Sequence, residues 1–434
     1  MKSSISHVKT IVMTLLAATL SCASFAAPTF RDAGPTLTDG ASSSHWTALY
    51  ATRNPAGAEF SISPESKIRM GVLSSLGIGV EVGPVDDFVD EIDGLIEQLD
   101  RDDISLAEGQ ALVQRFNALL GTMARDGYAK VHAGAHVPFF PMLIRSKRGV
   151  VTLNASFAGL ARLGLLDAPV TYNALAGELE TASAVYVKGA TLGEVALGFA
   201  RPVWSDRSRQ LTVGTNVRYL QAALSKQVVA LQTADDDVED IVKDTYDANE
   251  HESSHVTLDI GAIYSTDNYR IGLTLANLTE PEFKYGTIGN DCHLLSGSAQ
   301  HNCYAARYFS DRLALSETWT LERLATVEGA WFFADGRGTL SGALDLNEVR
   351  DPVGDLNQSF AVSLGYKTLT RLLPDVRIGY RKNLAGTKLD TATFGMTFFR
   401  RLHLDVAWGL KSTVIDDRSM PRNFALNLGF EMTY

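Results

Sequence analysis

Apolar and polar residues alternate along most of this chain. In its last eleven residues Phe424, Leu426, Leu428, Phe430, Met432 and Tyr434 are apolar, and the five residues between them are small or polar. Period two puts alternate side chains on opposite faces of a strand. About eleven residues is also the length of a tilted strand that crosses a bilayer. The pattern begins near Gly127 and recurs, between loops, to the end. Val151, Leu153, Ala155 and Phe157 follow it, as do Leu211, Val213, Thr215, Val217 and Tyr219. So do Val256, Leu258, Ile260 and Ala262, then Phe360, Val362 and Leu364, and Leu402, Leu404, Val406 and Trp408. Tyr219, Tyr264, Tyr269, Tyr366 and Tyr380 fall near strand ends, where membrane barrels carry aromatic girdles.

Residues 84–126 follow a different period. Val85, Phe88, Val89, Ile92, Leu95, Ile96 and Leu99 make one helical face, with a carboxylate-rich face opposite. A second helix starts at Ser105, with Glu108 completing a capping box. The acidic face reads as a solvated surface, or as one that docks a partner. Ile68 to Val82 reads as one strand. Residues 27–66 are loop-like and contain Arg53-Asn54-Pro55-Ala56-Gly57, a turn sequence.

After residue 26 no apolar run reaches the roughly 18 residues that a transmembrane helix needs. A soluble all-β binding protein or a closed barrel remains, and a barrel escapes a hydropathy scan because each strand is only half apolar. The connections favour the barrel. Short links near Trp204–Ser208, Thr266–Asn268, Asp335–Gly338, Leu369–Leu373 and Arg400–Arg401 alternate with long ones near Ala223–Ser253, Thr279–Arg323, Val349–Asn357, Leu384–Asp390 and Ser412–Arg422. Short periplasmic turns and long external loops are the habit of outer-membrane barrels. Counting from Gly127 gives about 14 strands, and adding Ile68–Val82 makes the number odd, which single-chain bacterial barrels avoid. The expected organisation is therefore a signal peptide at 1–26, an N-terminal hatch or periplasmic region with the helical hairpin at 27–126, and an all-β, membrane-spanning antiparallel barrel at 127–434.

Charge and composition sharpen this picture. Lys2 and Lys9, the apolar Ile11–Leu20 and the small residues around Ser24-Phe25-Ala26 form a secretory signal ending at Ala26. Cys22 raises a lipoprotein alternative, but Leu20 lies one place too close to it for the usual motif. The formal net charge of −11 argues against a nucleic-acid partner. Cys292 and Cys303 lie in the longest loop of an exported chain, which points to a structural disulfide. His293 and His301 beside them leave a Cys2His2 metal site as the alternative, though the spacing fits no standard zinc motif. Asp235, Asp236, Asp237, Glu239 and Asp240 form an acidic cluster without the order of a calcium loop. Val238, Ile241, Val242 and Tyr246 suggest a short loop helix there, with incidental cation binding as the alternative. Arg218, Asp259, Arg270, Asp345, Asp375, Arg377, His403 and Asp405 fall on expected inward positions, either pairing in the lumen or lining a substrate path. No G-x-S-x-G, H-E-x-x-H, P-loop or C-x-x-C pattern occurs, so the chain reads as a non-enzyme without cofactor or metal.

The C-terminal strand Phe424–Tyr434, ending on an aromatic residue, resembles the strand that outer-membrane barrels present to the barrel-assembly machinery. RNPAGAEF, LTVGTNVRYL, YRIGLTLANLTEPEF, GTLSGALDLNE and PDVRIGYRKNLAG together resemble the FadL-type outer-membrane superfamily, and within it the conjugal transfer TraF-like family. That resemblance implies a bacterial outer-membrane barrel of roughly 14 strands with an N-terminal hatch. In it Asn54, Pro55 and Ala56 hold the plug near a ligand route, and small hydrophobic compounds pass by diffusion through a lateral opening in the wall. It also implies lipid contact and, through the family's name, conjugation or secretion components as alternative partners. The helical insert at Pro84–Asp126 departs from the simplest FadL pattern.

Overall fold

The fold is taken from a computed structural model, which describes residues 34–39, 41, 47–233 and 249–434. The signal at 1–26 and the cluster at Asp235–Asp240 with its flanking apolar residues lie outside the described residues.

Fourteen antiparallel strands form the wall. They are β1 (Ile68–Val82), β2 (Tyr128–His136 continued by Met142–Ser146), β3 (Gly149–Leu166), β4 (Ala184–Asp206), β5 (Arg209–Ala230), β6 (His251–Ser265) and β7 (Tyr269–Ala276). The circuit continues with β8 (Leu324–Phe333), β9 (Gly338–Asp345), β10 (Ser359–Tyr366), β11 (Asp375–Asn383), β12 (Asp390–Phe398), β13 (Leu402–Gly409) and β14 (Asn423–Thr433). Each strand pairs with the next in sequence, and β14 pairs with β1, for example Leu426 opposite Ile78. Closure removes both sheet edges, so every wall strand finds a backbone partner inside a medium that offers none.

Ile68–Val82 is thus a wall strand, which corrects its placement with the hatch. Parity misled because Pro138 and Pro141 interrupt β2. A proline cannot donate to the ladder, so one strand reads as two and the count from Gly127 runs one too high. A second correction follows. With β1 in the wall, the helical hairpin connects β1 to β2 on the long-loop side, opposite the short turns, and is separated by a wall strand from the segments at 34–66 with which the expected organisation groups it. Its helices are α1 (Phe88–Leu99) and α2 (Leu106–Asp126). Ser105 caps α2 by accepting from Glu108 N at 3.4 Å.

The alternation of the sequence becomes an inside and an outside. In β14, Asn427 and Glu431 are buried in the lumen while Leu426 and Leu428 are exposed. On β4, Val195, Leu197 and Phe199 are exposed and Ala196 and Ala200 buried. Exposed Ile260, Ile271, Leu273, Leu340, Leu364, Ile378 and Trp408 continue this apolar belt around the wall. Toward the long-loop end the outward row changes. Ala161, Leu163, Leu165, Val185 and Val187 share the outward face, yet they are buried against Phe88, Ile92, Leu95, Phe116 and Leu120. The hairpin therefore packs on the outer surface of the wall, where β3 to β5 outreach the other strands. Its apolar face is the one expected; of its carboxylates, Glu97, Asp100, Asp102, Asp103 and Glu108 are exposed, while Asp86 accepts from Val414 N at 2.8 Å and Asp87 from Asp416 N at 2.9 Å.

Candidate functional site

The described N-terminal segments fill the lumen. Short helices α3 (Thr36–Asp39) and α4 (Tyr50–Arg53) precede a 3-10 turn at Pro55–Gly57, and helix α5 (Ala58–Ser61) follows it. Each is tied to the wall by a polar group on an inward strand position. The Arg381 guanidinium donates to Thr36 O and Leu37 O, both at 3.0 Å. Thr38 Oγ1 donates to Asp405 Oδ1 at 2.6 Å. Ser363 Oγ donates to Asp39 Oδ1 at 2.7 Å, and Ser341 and Tyr50 bond the same carboxylate. Glu431 accepts from Ala48 N at 3.0 Å and from Thr47 Oγ1, and pairs with Arg69 at 2.8 Å. Arg145 pairs with Glu59 at 2.6 Å. A hydrogen bond to a charged group contributes about 1.5–3 kcal/mol, so this set holds the plug firmly.

Asn54, Pro55 and Ala56 are buried at the centre of the plug. Asn54 Oδ1 accepts from Ala56 N at 3.1 Å and so caps the 3-10 turn, while its Nδ2 donates to Glu328 Oε1 at 2.9 Å. The wall opposite is hollowed to receive them. Gly214 on β5 and Gly261 on β6 are direct cross-strand partners. A Cβ on Gly214 would lie 2.5 Å from Ala56 N, and one on Gly261 would lie 2.0 Å from Asn54 Oδ1 and 2.9 Å from Pro55 Cδ. Sequence reasoning found the turn but missed its receptor. The available signal was a glycine at the same inward phase of two successive strands, in LTVGTNV and LDIGAIY.

The inward charges land as expected. Arg218, Asp259, Asp345, Asp375, Arg377, His403 and Asp405 are buried, and Arg270 is half-buried between Phe60 and Phe332. Their partners are largely one another or the wall. Arg218 bonds Glu194 at 2.7 Å and Asp259 at 3.2 Å, and Arg377 bonds Asp405 at 3.0 Å. That pairing supports the lumen-structure alternative over a charged substrate path.

On the long-loop side of the plug lies a cavity of about 240 Å³, bordered by Arg53, Leu160, Trp319, Leu321, Lys130 and Asp345 among others. It is mixed in character rather than purely apolar. On the short-turn side a space of about 490 Å³ is bordered by Phe60, Ile62, Arg69, Arg145 and Arg270. Two loops cover the long-loop mouth. Phe283, Tyr285, Trp319 and Leu321 of the 277–323 loop pack on Ala190, Leu192, Leu220 and Leu224. Lys130 Nζ reaches across to Asp351 at 2.6 Å and Asp355 at 2.8 Å in the 346–358 loop. Cys292 and Cys303 form a disulfide with Cα atoms 5.4 Å apart in the 277–323 loop, fastening the 3-10 turn at Cys292–Leu294 to the middle of helix α6 (Gly297–Tyr308). Their sulfurs are bonded to each other, so the Cys2His2 alternative falls.

The wall itself is broken in one stretch. The β1–β2 ladder runs from Val82–Ala129 to Leu76–Ala135 and resumes only at Met70–Met142. Between these points residues 71–75 face 136–141 through three longer or side-chain contacts: Gly71 N to Pro141 O at 3.3 Å, Phe139 N to Val72 O at 3.4 Å, and Ser74 Oγ to Phe140 O at 2.6 Å. The β1–β14 register also shifts here, at Gly71, Leu73 and Leu76. Phe139 projects outward, 54% exposed. Behind the break stand plug residues Gly34 and Leu49, Gly34 so close that a Cβ on it would lie 2.8 Å from Leu49 Cδ1 and 3.3 Å from Ser74 O.

Among solved structures, the chain is similar to a Pseudomonas aeruginosa FadL homologue at 12% identity, covering 95% of this chain and 99% of that one with a TM-score of 0.40. It is also similar to the Pseudomonas putida toluene transporter TodX at 12% identity, covering 92% and 96% with a TM-score of 0.43. Outer membrane phospholipase A from Escherichia coli is a further match, at 10% identity, 86% and 98% coverage and a TM-score of 0.24. No curated protein matches the sequence. The model of the family described as "F plasmid transfer operon, TraF, protein" matches residues 51–345, more than half of the chain, and the chain belongs to that family.

Proposed function

We propose that this barrel is a passive outer-membrane channel for small hydrophobic compounds, which leave it sideways through the β1–β2 break. The observation that carries the reading is that break, set in the apolar belt and backed by the plug. A straight path along the lumen meets the plug and its buried ion pairs, which are poor company for a hydrocarbon. A path through the wall meets Phe139, Leu73 and Leu76 and then lipid. Asn54, Pro55 and Ala56 act in this scheme as the fixed point that holds the plug while the segment at Gly34 and Leu49 yields.

A disulfide staple tests it. In a C292S/C303S background, V72C/F139C joins the two sides of the break. Oxidation is expected to bring uptake of toluene and of a medium-chain fatty acid down to the level of a deletion strain, and reductant to restore it. Undiminished uptake through the oxidised staple sinks the lateral route.

The family description supports a second reading, an accessory protein of a conjugation or secretion assembly that works through partner binding. The hairpin of α1 and α2 is then the contact, on the outer side of the wall. Deleting residues 84–126 is expected to release a co-purifying component under this reading and to leave the purified composition unchanged under the first.

A further inference from the structure

The charge of this protein is sorted along the barrel axis. The hairpin segment 83–127, on the long-loop side, carries eleven carboxylates against three cations. The six short turns at 147–148, 207–208, 266–268, 334–337, 367–374 and 399–401 carry eight cations against two carboxylates, in a chain whose formal charge is −11. Lys367 is half-buried, and burial together with the nearby Arg69, Arg400 and Arg270 lowers its amine to about 8. Even without it the turns are strongly basic.

Three of these turns are neighbours on the rim, between β8 and β13. Leu369, Leu372 and Leu373 stand 78%, 84% and 61% exposed, and Phe399 on the next turn is 60% exposed. Arg371, Arg400 and Arg401 lie among them, all exposed. Arg400 Nη2 donates to Thr368 O at 3.4 Å, which joins the two turns. Arg337 donates to Tyr366 Oη at 3.0 Å and lies over its ring, continuing the arc at the level where the lipid-facing row of β10 ends. The 367–374 turn is ordered, since Thr368 N donates to Asp375 Oδ1 at 2.8 Å. Three large apolar side chains held in water on a fixed turn, with a fourth on the turn beside it, are costly. Placed where the apolar belt ends, they enter the adjoining leaflet and leave the arginines at headgroup depth.

We infer that this arc is a binding site for anionic phospholipid in the leaflet beside the short turns. Arginine forks take the headgroup phosphate, and the leucines and Phe399 lie along the acyl chains. A basic, apolar rim of this kind suits a phosphate-bearing lipid better than an acidic protein, because the apolar side chains are continuous with the lipid belt.

The test uses the full-length protein in phosphatidylcholine vesicles containing a minor fraction of phosphatidylglycerol. After extraction in mild detergent the co-purified lipids are quantified. Phosphatidylglycerol is expected to be enriched about fivefold or more over the vesicle ratio, the preference that one cation gives beside an anionic surface. The enrichment is expected to fall at high salt. It is also expected to return to the vesicle ratio in R371E/R400E/R401E, which keeps its heat-modifiable gel mobility. L369S/L372S/L373S is expected to retain less of both lipids. Wild-type protein at the vesicle ratio, enrichment indifferent to salt, or enrichment surviving the charge inversion overturns the site. So does a leucine-dependent oligomer with no enrichment, which would make the occupant a protein.

Discussion

Valine at Gly261 is expected to drive the plug out of its seat and turn a closed barrel into a conducting one. The first carbon of the new side chain already falls 2.0 Å from Asn54 Oδ1 and 2.9 Å from Pro55 Cδ. The Pro55 ring cannot rotate away. Asn54 can, but only by giving up Ala56 N and the bond to Glu328. Overpacking costs about 1–3 kcal/mol, and the bond to the carboxylate adds about 1.5–3 kcal/mol. The wall is held on both sides by continuous ladders at this point, so the plug is the part that moves. Planar-bilayer recordings are expected to show steady conductance in G261V, smaller conductance in G214A, and none in wild type. Gel mobility before and after boiling is expected to stay that of a closed barrel. Gly164 supplies the control, since nothing lies within 4 Å of a Cβ there and G164A is expected to stay silent. A silent G261V would mean that the turn is not seated by the wall glycines.

Much of this architecture was legible because the membrane leaves few choices. Alternation in Phe424–Tyr434, Leu211–Tyr219 or Val256–Ala262 marks two-faced strands, the alternating short and long connections point to a closed barrel, and the inward rank of Arg218, Asp259, Arg377 and Asp405 follows from the same phase. The hairpin was legible for the opposite reason, its period of 3.6 standing out against a period of two. The strand count failed at one place. Pro138 and Pro141 remove ladder donors, and a sequence pattern cannot distinguish a strand that ends from one that pauses and resumes in the same slot. That pause decided whether Ile68–Val82 belonged to the wall, and with it the side on which the hairpin emerges.

The plug was legible only at its turn. Asn54-Pro55-Ala56 announces itself through local chemistry, an Asn cap followed by a Pro at the first position of a 3-10 turn. Its partners do not. Glu328 lies 274 residues away in sequence and Asp405 lies 367 residues from Thr38. Nothing local marks either carboxylate as a plug anchor, because the contact exists only after the wall has closed. The wall break is similarly non-local. Its prolines are visible on β2, whereas Ser74 and the register shifts of β1 that complete it acquire meaning only when those strands meet.

Removing the carboxylate of Asp405 is expected to destabilise the barrel more than any single change in the apolar belt. Arg377 and Asp405 are both fully buried, 3.0 Å apart, on the inward faces of β11 and β13. Gly395 between them leaves the room, since a Cβ there would lie 2.1 Å from Asp405 Oδ1 and 2.9 Å from Arg377 Nη2. Asp405 also accepts from Thr38, so the pair anchors the first helix of the plug. Breaking a buried pair from one side costs about 3–5 kcal/mol, because the remaining charge keeps its desolvation without its counter-charge. A surface ion pair such as Arg115–Glu91 is worth about 0–1 kcal/mol, so E91A is expected to be silent. D405A is therefore expected to lower the urea midpoint of the detergent-solubilised barrel markedly and to loosen the plug. Replacing both charges with apolar groups of similar volume, as in R377M/D405L, removes the stranded guanidinium and is expected to recover most of the loss. The comparison separates two causes that D405A alone confounds. Recovery in the double variant assigns the cost to the uncompensated charge. A double variant as unstable as D405A assigns it to the lost Thr38 contact, and the plug rather than the ion pair then becomes the element that holds this side of the wall.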